Sequence, residues 1–140
     1  MPLLDMTDKR QAHIDARLRS DLMMWLSTVR PDGRAHIVPV WFLWQDDVLY
    51  IFSKPDQKIR NLSQNKSAMV GVDDTKGGDD PIMLGGNVEL LKHSDLTPGI
   101  QDAYAEKYLE RMQASNWAMD WYVNEYSEVI RFTPTKVFAF

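Results

Sequence analysis

The sequence predicts an α+β protein, mainly β, in which a six-stranded antiparallel sheet closes into a small barrel with helices at its periphery. Three observations lead there. Strand-like segments follow one another through short turns instead of alternating with helices, so they pair as antiparallel neighbours. Helical signals are confined to three places: near the N-terminus, after Pro55 and after Pro98. A Gly85-Gly86 pair interrupts the fifth β-like stretch, and bends of that kind let a sheet close on itself.

The elements follow in order. Thr7 can cap a helix whose first turn carries Asp8, and Ile14, Leu18, Leu22 and Met23 then recur at helical spacing. β-Branched and aromatic residues dominate from Trp25 to Val29, and Arg30-Pro31-Asp32-Gly33 supplies a hairpin turn, with proline fixing one φ and glycine accepting a positive one. The return strand is expected to run from Arg34 to Trp44. Its middle, Ile37 to Phe42, is apolar on both faces and reads as buried on both sides. Pro39 has no N–H for a ladder, so it must sit at an edge, at a bulge, or against something other than a strand. Gln45-Asp46-Asp47 turns the chain into a third strand, Val48 to Ser53.

Lys54-Pro55-Asp56 opens a short helix from Gln57 to Gln64, with Ile59 and Leu62 facing inward. Ala68 to Val72 is the fourth strand, Thr75 to Asp80 a polar loop, and Pro81 to Leu91 the fifth strand. From Pro98, Ile100, Tyr104, Tyr108 and Met112 are spaced by four, and a Trp- and Tyr-rich segment follows to Tyr126, which predicts two short helices. Glu128 to Phe140 ends the chain as one bent strand, or two divided at Pro134. There is no internal repeat or linker, so residues 1–140 form one domain.

The chain has 140 residues, 44% hydrophobic and 26% charged, which suits one domain with its own core. Cysteine is absent, which removes disulfides, thiolate nucleophiles and Cys-based metal sites. The first twenty residues contain no continuous apolar stretch, so no secretory signal is expected and the default address is the cytoplasm. The richest apolar run, Ile37 to Trp44, is about half the length that spans a bilayer. A net charge of −4 argues against nucleic acid as a partner, because that contact needs a basic face. His13, His36 and His93 show no metal-site spacing, and no G-x-S-x-G elbow is present. Asp73-Asp74 and Asp79-Asp80 read as solvated loop charge. Trp117, Trp121, Tyr122 and Tyr126 form an aromatic stripe that favours a core or dimer contact over a ligand platform.

The block Ser53-Lys54-Pro55-Asp56-Gln57-Lys58-Ile59-Arg60 carries the chemistry. A strand runs directly into a helix N-terminus, and three cations fall within seven residues. Unpaired backbone N–H groups and the helix dipole favour an anion there, and Lys58, Arg60 and Ser53 can add hydrogen bonds to a phosphate. The same cations equally fit a solvated helix face. The apolar strand from Val38 to Trp41, one hairpin away, would set an apolar slot beside the phosphate seat, which suits a planar phosphorylated ligand.

Arg30-Pro-Asp-Gly-Arg, His36-Ile-Val-Pro-Val-Trp-Phe, Ile51-Phe-Ser-Lys-Pro and Lys58-Ile-Arg-Asn-Leu, in this order and spacing, resemble the pyridoxamine 5′-phosphate oxidase-like superfamily. The resemblance is to its short branch of deazaflavin (coenzyme F-420)-dependent enzymes, and it extends to the Gly-Asn-Val-Glu strand and the terminal Arg-Phe-Thr-Pro-Thr-Lys-Val. It implies a split β-barrel homodimer with two cofactor sites at the subunit interface. By position, His36, Val38, Pro39, Val40 and Trp41 would line the isoalloxazine ring and ribityl chain, partly through backbone groups. Ile51, Phe52 and Ser53 would contact the ribityl-phosphate arm, and Gln57 and Lys58 would meet the phosphate. The true oxidases carry Arg-Lys where this sequence reads Gln57-Lys58, so Arg60 or Lys54 must compensate, and oxidation of pyridoxamine phosphate itself is not expected.

These readings converge on an oxidoreductase that binds FMN, or alternatively coenzyme F-420, and exchanges a hydride with a small planar substrate. The cofactor supplies the redox chemistry and the protein orients and tunes it. The net acidity favours the shorter FMN over the anionic tail of F-420. No catalytic residue and no metal ligand is assigned. The other class that fits is a non-catalytic module that stores or senses a flavin, a tetrapyrrole or a phosphate ligand.

Overall fold

The turn at Arg30-Pro31-Asp32-Gly33 forms as its residues dictate: the Gly33 N–H donates to the Arg30 carbonyl at 2.8 Å, and Gly33 takes a φ of +89°. It joins β1 (Met24–Val29) to β2 (Ala35–Val40), with Trp25 opposite Pro39 and Ser27 opposite Ile37. The computed structural model describes residues 3–73 and 77–139. Thr75 and Lys76 of the expected polar loop, Asp74 before it, and the terminal Phe140 lie outside the described residues.

The remaining strands are β3 (Leu43–Gln45), β4 (Val48–Ser53), β5 (Ser67–Val72), β6 (Ile82–Lys92) and β7 (Glu128–Ala139). All the pairs are antiparallel, and the sheet order is β2-β1-β5-β6-β7-β4-β3. The α+β, mainly β class is as expected, with seven strands among the described residues instead of six. The extra strand arises because the return strand expected from Arg34 to Trp44 breaks at Trp41-Phe42. There the Tyr108 hydroxyl accepts from the Phe42 N–H at 2.8 Å, and Lys107 Nζ donates to the Phe42 carbonyl at 2.8 Å, so neither backbone group is left for a ladder. β2 and β3 are consecutive in sequence yet form opposite edges of the sheet. Val40 and Leu43 can be no more than about 11 Å apart, so the sheet must curl until its edges meet at that end. No ladder joins β2 to β3, and the barrel stays open along this seam.

Pro39 lies on the edge strand β2, where a missing N–H costs least. Gly85 and Gly86 mark a register shift between β6 and β7. A Cβ on Gly86 would lie 2.3 Å from the Thr133 carbonyl oxygen and 2.8 Å from the Pro134 Cα, so only glycine allows this bend. Asp46 and Asp47 both take positive φ in the two-residue turn between β3 and β4, as tight hairpins require.

The helices correct three expectations. In α1 (Lys9–Ser20) the cap is Asp8, whose side chain accepts from the Gln11 N–H, while the Thr7 hydroxyl bonds Asp5. The helix ends at Ser20, so Leu22 and Met23 lie on the connection to β1. The Tyr-rich region forms α3 (Ile100–Lys107), α4 (Leu109–Ala114) and α5 (Met119–Glu125), three helices where two were expected. The second break follows Asn116, which takes a left-handed φ of 57° that asparagine tolerates. α2 (Gln57–Gln64) matches its expected bounds.

Two apolar layers result. Leu26, Phe42, Leu49, Ile51, Leu84 and Phe132 fill the barrel, while Tyr50, Phe52 and Val129 pack outward against Ile100, Tyr104, Tyr108 and Tyr122. The strand buried on both faces is therefore β4. β2, for which that burial was expected, alternates, and Ile37 is 62% exposed. Ile37 belongs to an outer apolar surface. By register, Ile37, Ser27, Met69 and Gly85 form one row across the sheet, and Pro39, Trp25, Gly71, Met83 and Phe138 form the next. Trp25, Met69 and Phe138 are each more than 40% exposed.

Candidate functional site

A cleft of about 270 Å³ opens where β2 gives way to the Trp41-Phe42 crossover. Pro39, Val40 and Trp41 form one wall, and Phe52 at the outward face of β4 forms another. Trp117, Tyr122 and Tyr126 close it from the side of α5, with Met23 at its margin and Lys58 of α2 as its only cationic lining residue among the described residues. Its size lies just under the usual range for small-molecule sites, and its walls are chiefly aromatic, as such sites are.

The aromatic walls are ordered by stacking. The Trp41 ring lies 4.3 Å from Tyr108 at an interplanar angle of 3°, and 5.6 Å from Tyr122 at 20°. Tyr122 in turn stacks on Tyr126 at 4.3 Å. Beneath them the Tyr108 hydroxyl accepts from the Phe42 N–H and directs its own hydrogen at the Leu22 carbonyl, 2.8 Å away. Lys107 Nζ lies 3.7 Å from the Phe42 ring centroid. Burial lowers Lys107 to a pKa of about 8 against the pull of Asp21, and burial pushes the phenols of Tyr108 and Tyr122 well above their ordinary range. The tyrosines are therefore neutral hydrogen-bonding groups at physiological pH.

The polar end of the cleft is Lys58. Its side chain is 12% exposed, and its ammonium donates to Asp56 Oδ2 at 2.6 Å. Asp56 Oδ1 and His36 Nδ1 are buried with no hydrogen-bond partner among the described residues. Neither residue lines the cleft, so His36, expected beside the cofactor ring, is not among its walls.

Of the residues expected at a cofactor, Pro39, Val40, Trp41, Phe52 and Lys58 come together in this cleft. The others do not line it. The Val38 and Ile51 side chains pack into the barrel, which leaves only their backbone for a ligand. The Ser53 hydroxyl is spent on the Lys54 carbonyl, and Lys54 Nζ lies 5.4 Å from the Tyr126 ring centroid. Arg60 donates to Gln57, Gln57 to Asn61, and Asn61 to the buried Thr28 hydroxyl, so this chain ties α2 to β1 instead of forming a phosphate cradle. The expected compensation by Arg60 or Lys54 is absent from the cleft lining.

Sequence reasoning missed Met23 and the Lys107-Tyr108 clamp altogether, because nothing in a helical spacing shows that two side chains of one helix end hold a distant crossover. It favours core or dimer contacts for the 117–126 stripe, while the family resemblance also allows that helix to cover the substrate side of the site. Tyr122 is buried and packs in the outer layer, yet it lines the cleft together with Trp117 and Tyr126, while Trp121 lies outside.

A curled antiparallel sheet, open along one seam and carrying an aromatic cleft there, is the class that fold and site define. The chain belongs to the pyridoxamine 5′-phosphate oxidase family, whose model matches residues 11–140. No curated protein matches it in sequence. Among solved structures it is similar to an F-420 reductase, with 25% identity, a TM-score of 0.64, and 89% of this chain and 94% of that one covered. It shares its fold with the conserved hypothetical protein Rv2991 from Mycobacterium tuberculosis (18% identity, TM-score 0.73, 92% and 82% covered). It also shares it with the haem storage protein HutZ from Vibrio cholerae (14% identity, TM-score 0.65, 94% of each chain covered). No helix among the described residues is long and apolar enough to cross a membrane.

Proposed function

We propose that this chain is a flavin-type oxidoreductase that seats FMN, or the deazaflavin coenzyme F-420, in the Trp41 cleft and passes a hydride to or from a small planar substrate. The observation that carries the reading is the placing of Lys58, a mostly covered ammonium, at the end of a cleft walled by Trp41, Phe52, Trp117, Tyr122 and Tyr126. Flat aromatic walls suit a fused ring, and the cation suits its phosphate-bearing arm. The bound cofactor would supply the redox step. The chain would orient the ring against the aromatic walls and keep water from it. The similarity to an F-420 reductase supports the class.

We further propose that the working unit is a homodimer. The outer rows around Trp25, Ile37, Met69 and Phe138 form the kind of exposed apolar surface that soluble monomers seldom carry. Pro39 belongs both to those rows and to the cleft, so a second copy covering them would border the site.

The test is to denature the purified protein and weigh the released chromophore. FMN or F-420 supports the reading and decides between them, and a colourless protein that takes up neither overturns it. Reoxidation of the reduced cofactor faster with some substrate than with oxygen alone marks an enzyme; no such acceleration marks a storage or sensing module.

A further inference from the structure

We propose that Asp56 sets which anions the cleft accepts, holding Lys58 as an internal counter-ion so that a dianionic phosphate is disfavoured against a neutral or singly charged group. This rests on the flavin reading and makes its cofactor preference specific.

Asp56 precedes α2 at the position where an aspartate ordinarily caps a helix by accepting a backbone N–H. It makes no such bond. Its carboxylate is instead committed to Lys58, Oδ2 standing 2.6 Å from the ammonium, while Oδ1 is buried with nothing donating to it. The pair is net neutral; the lysine side chain is 12% exposed and the aspartate side chain 44%, so the ammonium is shielded from water while the carboxylate is partly hydrated. Among the described residues Lys58 is the one cation that lines the cleft; Lys54 and Arg60 do not, Arg60 is bonded to Gln57, and Asp56, itself outside the lining, acts on a ligand through its place beside the Lys58 ammonium.

A phosphate approaching Lys58 therefore meets a carboxylate already in place. A phosphomonoester, carrying close to two negative charges at neutral pH, is repelled most. A phosphodiester bears one charge and is repelled less. A neutral group at the same place is not repelled at all.

FMN and riboflavin differ only in the terminal phosphate, so titrating each into the protein by flavin fluorescence isolates the effect. The wild-type protein should bind the two within about threefold of each other, whereas D56N should raise FMN affinity about tenfold and leave riboflavin unchanged. Asparagine caps helices as well as aspartate, so the fold is retained, and D56S should give the same gain. If both variants leave the FMN-to-riboflavin ratio as it was, or the wild-type protein already prefers FMN a hundredfold, the role of Asp56 is refuted while the flavin site stands. If neither flavin binds the wild-type protein, both fall.

Discussion

Trp41 and Tyr108 lie face to face, ring centroids 4.3 Å apart and planes 3° from parallel, although 66 positions separate the Tyr108 hydroxyl from the Phe42 N–H that it accepts. The contact couples the helical layer to the seam of the barrel. The residue that breaks the strand in two is held by the same tyrosine that sets the ring of its neighbour.

Tyr108→Phe keeps the stack but leaves the Phe42 N–H without its acceptor. A buried donor left unmet costs about 1–3 kcal/mol, so the variant should lose that much stability in urea denaturation. Trp41 should also become more mobile, seen as a red shift of tryptophan emission. Unchanged stability would mean that the crossover does not depend on the clamp.

Lys107 gives a pH dependence whose sign follows from its partners. Burial lowers its pKa from 10.5 to about 8, with Asp21 opposing. Between those values the unfolded chain holds more proton than the folded one, so stability rises with pH across that window. Below pH 8 the whole penalty is present, on the order of 3 kcal/mol. The stability of Lys107→Met relative to the parent, measured by denaturation at pH 7 and pH 10, should therefore fall by about that amount between the two. A constant difference would contradict it.

Gly86→Ala should destabilise by about 3 kcal/mol or more, because its Cβ would collide with backbone of β7 that has nowhere to move. Gly33→Ala is strained only through its positive φ and meets no atom within 4 Å, so its cost should be near 1 kcal/mol. Comparing the two melting temperatures separates crowding from backbone preference.

Those two glycines also show what was legible beforehand. A turn at Arg30-Pro31-Asp32-Gly33, a bend at Gly85-Gly86 and the α2 bounds are local matters of backbone freedom and capping, and the sequence carries them. The burial of β2 was misread because an apolar strand looks the same whether it faces a core or an uncovered outer face; Ile37 and Pro39 are apolar and face outward. Pro39, Val40, Trp41, Phe52 and Lys58 are expected together from their place in the family pattern, and they line one cleft. The insertion of Trp117, Tyr122 and Tyr126 into the cleft depends on how α5 docks, and the pairing of Lys58 with Asp56 on one side-chain rotamer. Neither has a sequence signature.

The outer apolar rows yield a prediction of assembly. Placing a charge in each, as in Ile37→Glu with Met69→Lys, should shift the protein from dimer to monomer in analytical ultracentrifugation while leaving its far-ultraviolet spectrum intact. A monomeric parent, or a dimer indifferent to both charges, would contradict the assignment of that face.

The central claim is that the cleft between Trp41 and Lys58 seats a flavin by its ring, with Lys58 at the cofactor's arm offsetting the Asp56 carboxylate. FMN titrated against the protein, followed by the loss of its fluorescence, should saturate at one flavin per chain, and Lys58→Met should need at least tenfold more protein to reach the same point. A flavin signal that never changes, or identical curves for the parent and Lys58→Met, would contradict it.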